Sequence, residues 1–282
     1  MIGVLDSGFG GLTIHRALID AMPDHDFVYL GDNKNSPYGL REPLDVLNLT
    51  CAGMDRLVAE GCTLVVVACN TAAAVAMRWI QQQWLPALYL KDGVRRNALS
   101  IVVPTIEAAT GLDWYEKRRL HDGVTTSGVV AVFATPRTVA TKTYPFEIRK
   151  RRPDINVVQQ ACPALAGAIE TGATQDQLRA MIGEYVAALM QQLNGRAPES
   201  VVLGCTHYPL VSDLFAEVLP PGTPIISQPD TTAAALLTYL ERHPEYQTST
   251  NGTRRFLSTG YVPDALQLIE KFWGEPLVFD QI

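Results

Sequence analysis

Two cysteines close aliphatic runs in similar frames, Val65-Val66-Val67-Ala68-Cys69-Asn70-Thr71-Ala72 and Val201-Val202-Leu203-Gly204-Cys205-Thr206-His207-Tyr208-Pro209-Leu210. A thiol at the carboxyl end of a buried strand lies where open α/β sheets hold ligands. Asn70, Thr71, Thr206 and His207 put amide, hydroxyl and imidazole groups beside the two thiols, and helix N-termini expected just beyond them favour the thiolate. These are conditions for proton transfer, and two such thiols suggest chemistry worked from two sides. Cys51, Cys62 and Cys162 lack comparable neighbours and read as small buried hydrophobes.

Other segments end near the same sheet edge. Leu5-Asp6-Ser7-Gly8-Phe9-Gly10-Gly11-Leu12 reads as a strand, a glycine-rich turn and a helix. Thr13 stands where a dinucleotide fingerprint needs its third glycine, so the turn better suits close approach to a small anionic ligand. Asp6 offers a carboxylate to a substrate ammonium or to a neighbouring acid/base, against the alternative of a purely structural turn. In the loop from Gly31 to Gly39, Tyr38 could bring its phenol and Gly39 a backbone donor to a carboxylate, or the two could form only a tight turn. Thr135 and Thr138 follow another aliphatic run and either bind a carboxylate or cap the next helix, with Thr135 the better binding candidate. Glu170 either orients His207 across a cleft or is solvated.

Cys205 with His207 also fits a thiol hydrolase pair, but that leaves Cys69 unexplained. A phosphatase loop needs an arginine six residues after its cysteine, and Val75 and Val211 stand there. Zinc on Cys69, Cys205, His207 and Asp6 has suitable donors but matches no common spacing.

These residues must be carried by alternating strands and helices. Short aliphatic runs at Ile2–Leu5, Phe27–Leu30, Leu64–Ala68, Leu99–Val103, Val129–Phe133, Ile155–Val158, Val201–Leu203 and Ile225–Ile226 predict strands. Amphipathic spacing predicts helices over Gly11–Ala21, Leu44–Ala59, Thr71–Trp84, Arg137–Lys150 and Gln175–Leu193. In the second of these, Leu44, Leu47, Met54, Leu57 and Val58 read as core positions. The alternation indicates α/β architecture with parallel sheets. A faint repeat pairs Ile2–Ser7 with Val130–Thr135 and the Cys69 frame with the Cys205 frame. The expected division is a discontinuous first α/β domain, 1–97 plus 211–282, and a second, 98–210. Lys91–Asn97, Trp114–Ser127 and His243–Thr253 read as exposed connections.

With 282 residues, 47% of them hydrophobic, the chain can bury two cores, and its formal charge of −6 offers no basic footprint for nucleic acid. The cluster Arg149-Lys150-Arg151-Arg152 is short and reads as a solvated helix end. Five cysteines fit neither a disulfide framework nor a paired zinc motif, which favours a reducing cytoplasm. No export signal is evident, and no apolar run approaches the about 18 residues of a membrane helix.

Taken together, the Asp6–Leu12 turn, Pro37-Tyr38-Gly39, Cys69-Asn70-Thr71-Ala72, Ala134-Thr135 with Thr138, and Gly204–Leu210 resemble the aspartate/glutamate racemase family, most closely its bacterial glutamate-converting members. The resemblance runs over nearly the whole chain. It implies two α/β domains related by a pseudo-two-fold, an active site in the cleft, and cofactor-independent interconversion of L- and D-glutamate to supply peptidoglycan synthesis. By the same resemblance Cys69 and Cys205 become the acid/base thiols, Asp6 the helper of Cys69, and His207 with Glu170 the helpers of Cys205. Asp6, Ser7, Tyr38, Gly39, Asn70, Thr71, Thr135, Thr138, Thr206 and His207 would line the substrate site, with no metal, and a homodimer is compatible with it. Gly31–Ser36 and Leu85–Asn97 depart from the family's commoner pattern, which bears on distal recognition, activator response and dimer contacts.

The physical logic agrees with the resemblance. Inverting a stereocentre needs a base on one face and an acid on the other, in opposite protonation states. Asn70, Thr71 and Thr206 would stabilise the carbanion through its carboxylate in a site closed to water. A pyridoxal phosphate racemase would need a lysine in a cofactor context, which the chain lacks. The remaining readings are an aspartate or broad-specificity racemase, a two-lobed small-molecule binder, and a regulator without turnover.

Overall fold

The computed structural model describes residues 1–113, 128–246, 251–262 and 265–282. The expected connection at 114–127 therefore lies outside the described residues, as does part of 243–253. The strands are β1 (Ile2–Asp6), β2 (Phe27–Gly31), β3 (Leu64–Val67), β4 (Asn97–Ser100), β5 (Gly128–Ala134), β6 (Ile155–Ala161), β7 (Ser200–Gly204), β8 (Ile225–Ile226), β9 (Arg254–Ser258) and β10 (Asp280–Gln281). They form two parallel sheets, of order β10-β9-β2-β1-β3-β4 and β6-β5-β7-β8.

In each sheet the first strand lies between its second and third, β2-β1-β3 in one and β6-β5-β7 in the other. The strand order thus reverses beside β1 and beside β5, and a crevice at the carboxyl ends of the strands follows from that reversal. The faint sequence repeat follows the same correspondence, β1 with β5 and β3 with β7. Aliphatic residues on both sides of these strands explain their central placement: β1, β2, β3 and β5 are buried along their whole length.

The helices are α1 (Leu12–Ala21), α2 (Pro43–Ala59), α3 (Asn70–Trp79), α4 (Leu85–Asp92), α5 (Val102–Thr110), α6 (Pro136–Thr141), α7 (Thr143–Arg151), α8 (Leu165–Glu170), α9 (Gln175–Gln192), α10 (Ser212–Val218), α11 (Gln228–Arg242) and α12 (Leu266–Trp273). None of them is long and apolar enough to cross a membrane. Buried apolar residues form two clusters, and each draws on both sheets: Val4 and Tyr29 with Phe133 and Leu203 in one, Leu5 and Val67 with Val132 and Val202 in the other.

Several expectations are corrected. The fourth strand is Asn97–Ser100 rather than Leu99–Val103, because the Ser100 hydroxyl takes the Val102 N–H (3.0 Å) and turns the chain into α5. The helix expected over Arg137–Lys150 breaks into α6 and α7 at Lys142, whose φ is 55°. Pro145 has no N–H to continue the ladder across that point. The helix expected to end at Trp84 passes through a π turn, Ile80–Trp84, and runs on as α4, with Pro86 in the first turn removing a backbone donor.

Val46, Thr50, Met54 and Leu57 define the buried face of α2, which leaves Leu44 65% exposed instead of in the core. Arg151 is buried against Glu147 (2.6 Å), so the basic cluster is only partly solvated. Sheet membership also crosses the expected domain boundaries. Asn97–Ser100 pairs with β3 in the first sheet, and Ile225–Ile226 pairs with β7 in the second.

Candidate active site

β1 delivers Asp6 to the carboxyl edge of its sheet, and the chain turns at Ser7–Gly11 into α1. Asp6 accepts the Gly8 N–H through Oδ1 (3.0 Å) and the Thr206 hydroxyl through Oδ2 (3.4 Å). Two glycines make this packing possible: a Cβ on Gly11 would stand 2.4 Å from Asp6 Cβ, and one on Gly10 would stand 2.6 Å from His207 Nδ1. The first turn therefore lies directly against the loop after β7. Burial pushes the Asp6 carboxyl up to about 6, partly offset by attraction to His207 and by its hydrogen bonds.

Cys69 follows β3 and caps α3, its Sγ accepting the Ala72 N–H (3.4 Å) and donating to Ser7 Oγ (3.3 Å). Burial, then the nearby Asp6 charge, push this thiol up to about 12 against those two hydrogen bonds. Cys205 follows β7 and leads into a short 3₁₀ turn, Tyr208–Val211, in place of the expected helix start. Its Sγ is 3.7 Å from His207 Nδ1, and His207 Nε2 is 2.7 Å from Glu170 Oε1. Burial alone would lower the imidazole, but hydrogen bonds to Cys205 and Glu170 and their negative charge outweigh it and raise His207 to about 10. The expected contact of Glu170 with His207 is thus present, made across α8 and the β7 loop.

Both thiols line one small cavity of about 30 Å³ with Ser7, Tyr38, Gly39, Asn70, Thr71, Thr135, Thr206 and His207. Ser36, Pro37 and Ala166 complete the wall, and the sequence reading had not assigned them to the site. Asp6, Glu170 and Thr138 stand behind the wall, in contact with its members. Thr135 caps α6 by accepting the Thr138 N–H (3.3 Å), and the hydroxyls of Thr71, Thr135 and Thr138 lie 3.0 Å from one another. Thr138 accordingly orients the other two hydroxyls and does not itself face the cavity. A larger groove of about 500 Å³ between α1 and α11 is open and lined by Arg16, Asp20 and several alanines, with neither thiol in its wall.

Two of the expected site side chains have partners that the sequence reading did not name. The Tyr38 phenol donates to Asp32 Oδ2 (2.6 Å), and Asn35 and Thr259 also donate to Asp32, so the phenol anchors its own loop. The side chain of Asn70 is paired with Gln228 and Tyr144. Asp32, Tyr144 and Gln228 were missed. Asp32 had one available signal, since a carboxylate in a turn-rich loop after a strand usually organises that loop's donors.

Two parallel-sheet α/β units whose facing edges bring two thiols to one cavity define an amino-acid racemase. No protein-family model matches the chain. A glutamate racemase of Phenylobacterium zucineum is 52% identical over 99% of both chains. Among solved structures, glutamate racemase isoform RacE1 of Bacillus anthracis is 28% identical with a TM-score of 0.83, covering 100% of this chain and 97% of that one. A Francisella tularensis glutamate racemase solved with D-glutamate has a TM-score of 0.82 at 23% identity, covering 100% and 96%. The chain belongs to the glutamate racemase family.

Proposed function

We propose that this enzyme interconverts L- and D-glutamate by moving the α-proton between Cys69 and Cys205 on opposite faces of the substrate. The observation that carries the reading is that one cavity is lined by two thiols from two sheets, each with its own proton-handling partners. Ser7 and Asp6 attend Cys69, while His207 and Glu170 attend Cys205. In each direction one sulfur removes the proton as thiolate and the other returns one as thiol, so the two exchange protonation states with every turnover. Thr71, Thr135, Thr206 and Asn70 supply donors for the α-carboxylate as it gathers charge, and Gly39 supplies a backbone N–H for a carboxylate. The substrate assignment draws support from the relatives named glutamate racemase and from the D-glutamate complex of one neighbour.

D-glutamate made this way would supply peptidoglycan synthesis in the cytoplasm. The test is circular dichroism of the purified chain, freed of metal and pyridoxal phosphate, with L-glutamate and then L-aspartate. The glutamate signal should decay to zero and the aspartate signal should decay more slowly. Equal or faster decay of aspartate would overturn the substrate, and turnover only after pyridoxal phosphate is added would overturn the mechanism.

A further inference from the structure

Behind Cys69 lies a buried polar cluster of which only Asn70 enters the chemistry proposed above. Asn70, Thr105, Tyr144 and Gln228 are each 2% exposed or less and come from four helices, α3, α5, α7 and α11. Such a cluster persists in an apolar surround only when its hydrogen bonds close.

They close with a defined direction. Thr105 Oγ1 donates its one proton to the Ile101 carbonyl (2.7 Å), so it presents only lone pairs to Gln228. The atom of Gln228 facing it must therefore be Nε2 (2.9 Å), which also reaches Tyr144 Oη and Asn70 Oδ1 (both 3.1 Å). With Nε2 so fixed, Gln228 Oε1 accepts from Asn70 Nδ2 (2.8 Å). The two carboxamides thus form a reciprocal pair, to which Tyr144 adds a donation to Asn70 Oδ1 (2.7 Å), and one N–H of Asn70 is left over. Asn70 is in the cavity wall and Gln228 is not.

The two ends of a carboxamide have nearly the same shape, so packing alone does not decide which end of Asn70 faces the cavity. The choice matters, because an N–H attracts a carboxylate and a carbonyl oxygen repels it. Tyr144 cannot decide it alone, since a phenol both donates and accepts.

We propose that Gln228 is a positioning residue of this site, relaying the direction of the Thr105 hydroxyl bond to Asn70 so that an Asn70 N–H faces the substrate's α-carboxylate. The proposal rests on the racemase reading above. It assigns Gln228 an effect exerted wholly through Asn70, felt most when the carboxylate carries the charge of the carbanion. Interaction that strengthens toward the transition state appears in kcat more than in KM.

The experiment is steady-state kinetics of the wild type, Gln228→Leu, Asn70→Ala and the double variant. Leucine fills the volume without a polar group, and Gln228→Leu should lower kcat roughly 10- to 100-fold with KM changed about threefold or less, below the loss of a whole oxyanion donor. In the Asn70→Ala background the same substitution should change kcat by about twofold or less, since no amide remains to be oriented. Equal losses in both backgrounds would make Gln228 merely structural and overturn the proposal.

If Gln228→Leu does not fold, Gln228→Glu decides. The introduced carboxylate still accepts from Asn70, but it donates to Thr105 only when protonated. Its activity should then fall with rising pH on a limb absent from the wild type, and a wild-type profile would overturn the proposal. Wild-type turnover of glutamate reports separately on the racemase reading, so the two failures are distinguishable.

Discussion

At the scale of single residues, two thiols of the same chemistry are given different partners. Ser7 and the Ala72 N–H contact Cys69, whereas an imidazole held by Glu170 attends Cys205. If each thiol serves one face, Cys69→Ala and Cys205→Ala should each abolish racemisation while leaving a folded protein. With a glutamate analogue carrying a leaving group on its β-carbon, elimination needs only one base. Cys69→Ala should then eliminate from the L form only and Cys205→Ala from the D form only, read by chromatography of the products. Swapped preferences would reverse the assignment, and racemisation by either variant would end the two-thiol mechanism. Asp6 makes a second prediction. Its carboxyl is raised from 3.8 to about 6, so the folded state favours the protonated form. Its contribution to stability is present below pH 3.8 and lost as pH rises through 6. Asp6→Asn should therefore be more stable than the wild type at pH 8 by up to roughly 3 kcal/mol, with the advantage gone below pH 4. Urea unfolding at both pH values measures it, and an advantage independent of pH would refute the cause. Activity should fall in the same variant, since Asp6 would no longer carry charge beside Cys69.

At the scale of elements, the site depends on how closely turns from the two sheets approach. Gly10 lies against Thr206 and His207, and a Cβ there would stand 2.6 Å from each of their side chains. Gly10→Ala must push the β1 turn away from the β7 loop, and a displacement of about 1 Å at a reacting centre can cost roughly 10²-fold in rate. We expect a loss of that order in kcat/KM with a small change in melting temperature. Unchanged kinetics would show that the loop yields without moving His207. A control lies at the start of α9, where Thr174 and Gln177 form a capping box. Thr174→Ala should cost about 1 kcal/mol of stability and leave kcat/KM unaltered, because this cap touches no residue of the cavity. The contrast separates stability lost anywhere in the fold from geometry lost at the site.

At the scale of the whole molecule, the cavity shared by the two thiols is small, about 30 Å³. Both apolar clusters draw on both sheets, so the packing that frames the cleft is shared between them. Cys69 and Cys205 are only 6% and 7% exposed. Alkylation of both by iodoacetamide should therefore be slower than in the unfolded chain by roughly 10²-fold or more, set by local opening, and saturating D-glutamate should slow it further. Peptide mass spectrometry over time gives both rates. Modification at the rate of the unfolded chain would mean that the cleft stands open, and absence of protection would mean that glutamate does not lie between the thiols.

The paired thiols, the glycine turn after Asp6 and the aliphatic strands that carry them are legible along the chain, because each is written in neighbouring residues. A strand end, a turn and a helix start are local events, and the periodicity of β1, β2, β3, β5 and β7 marks them without help from elsewhere. Even there, Pro86, Pro145 and the Ser100 hydroxyl moved element ends by removing or capturing single backbone N–H groups. Which groups meet depends on how the distant segments pack. β9 joins β2 from more than two hundred residues away, and its mixed Arg254-Arg255-Phe256-Leu257-Ser258 pattern takes on strand form through that pairing. Gln228 meets Asn70 across 158 residues, and the Tyr38 phenol turns to Asp32 where its loop's place at the sheet edge suggested a carboxylate ligand or a tight turn. An amide or a phenol has no local signature of its partner. Its direction is set by whichever donor or acceptor the fold brings within 3 Å, which only the packed chain specifies.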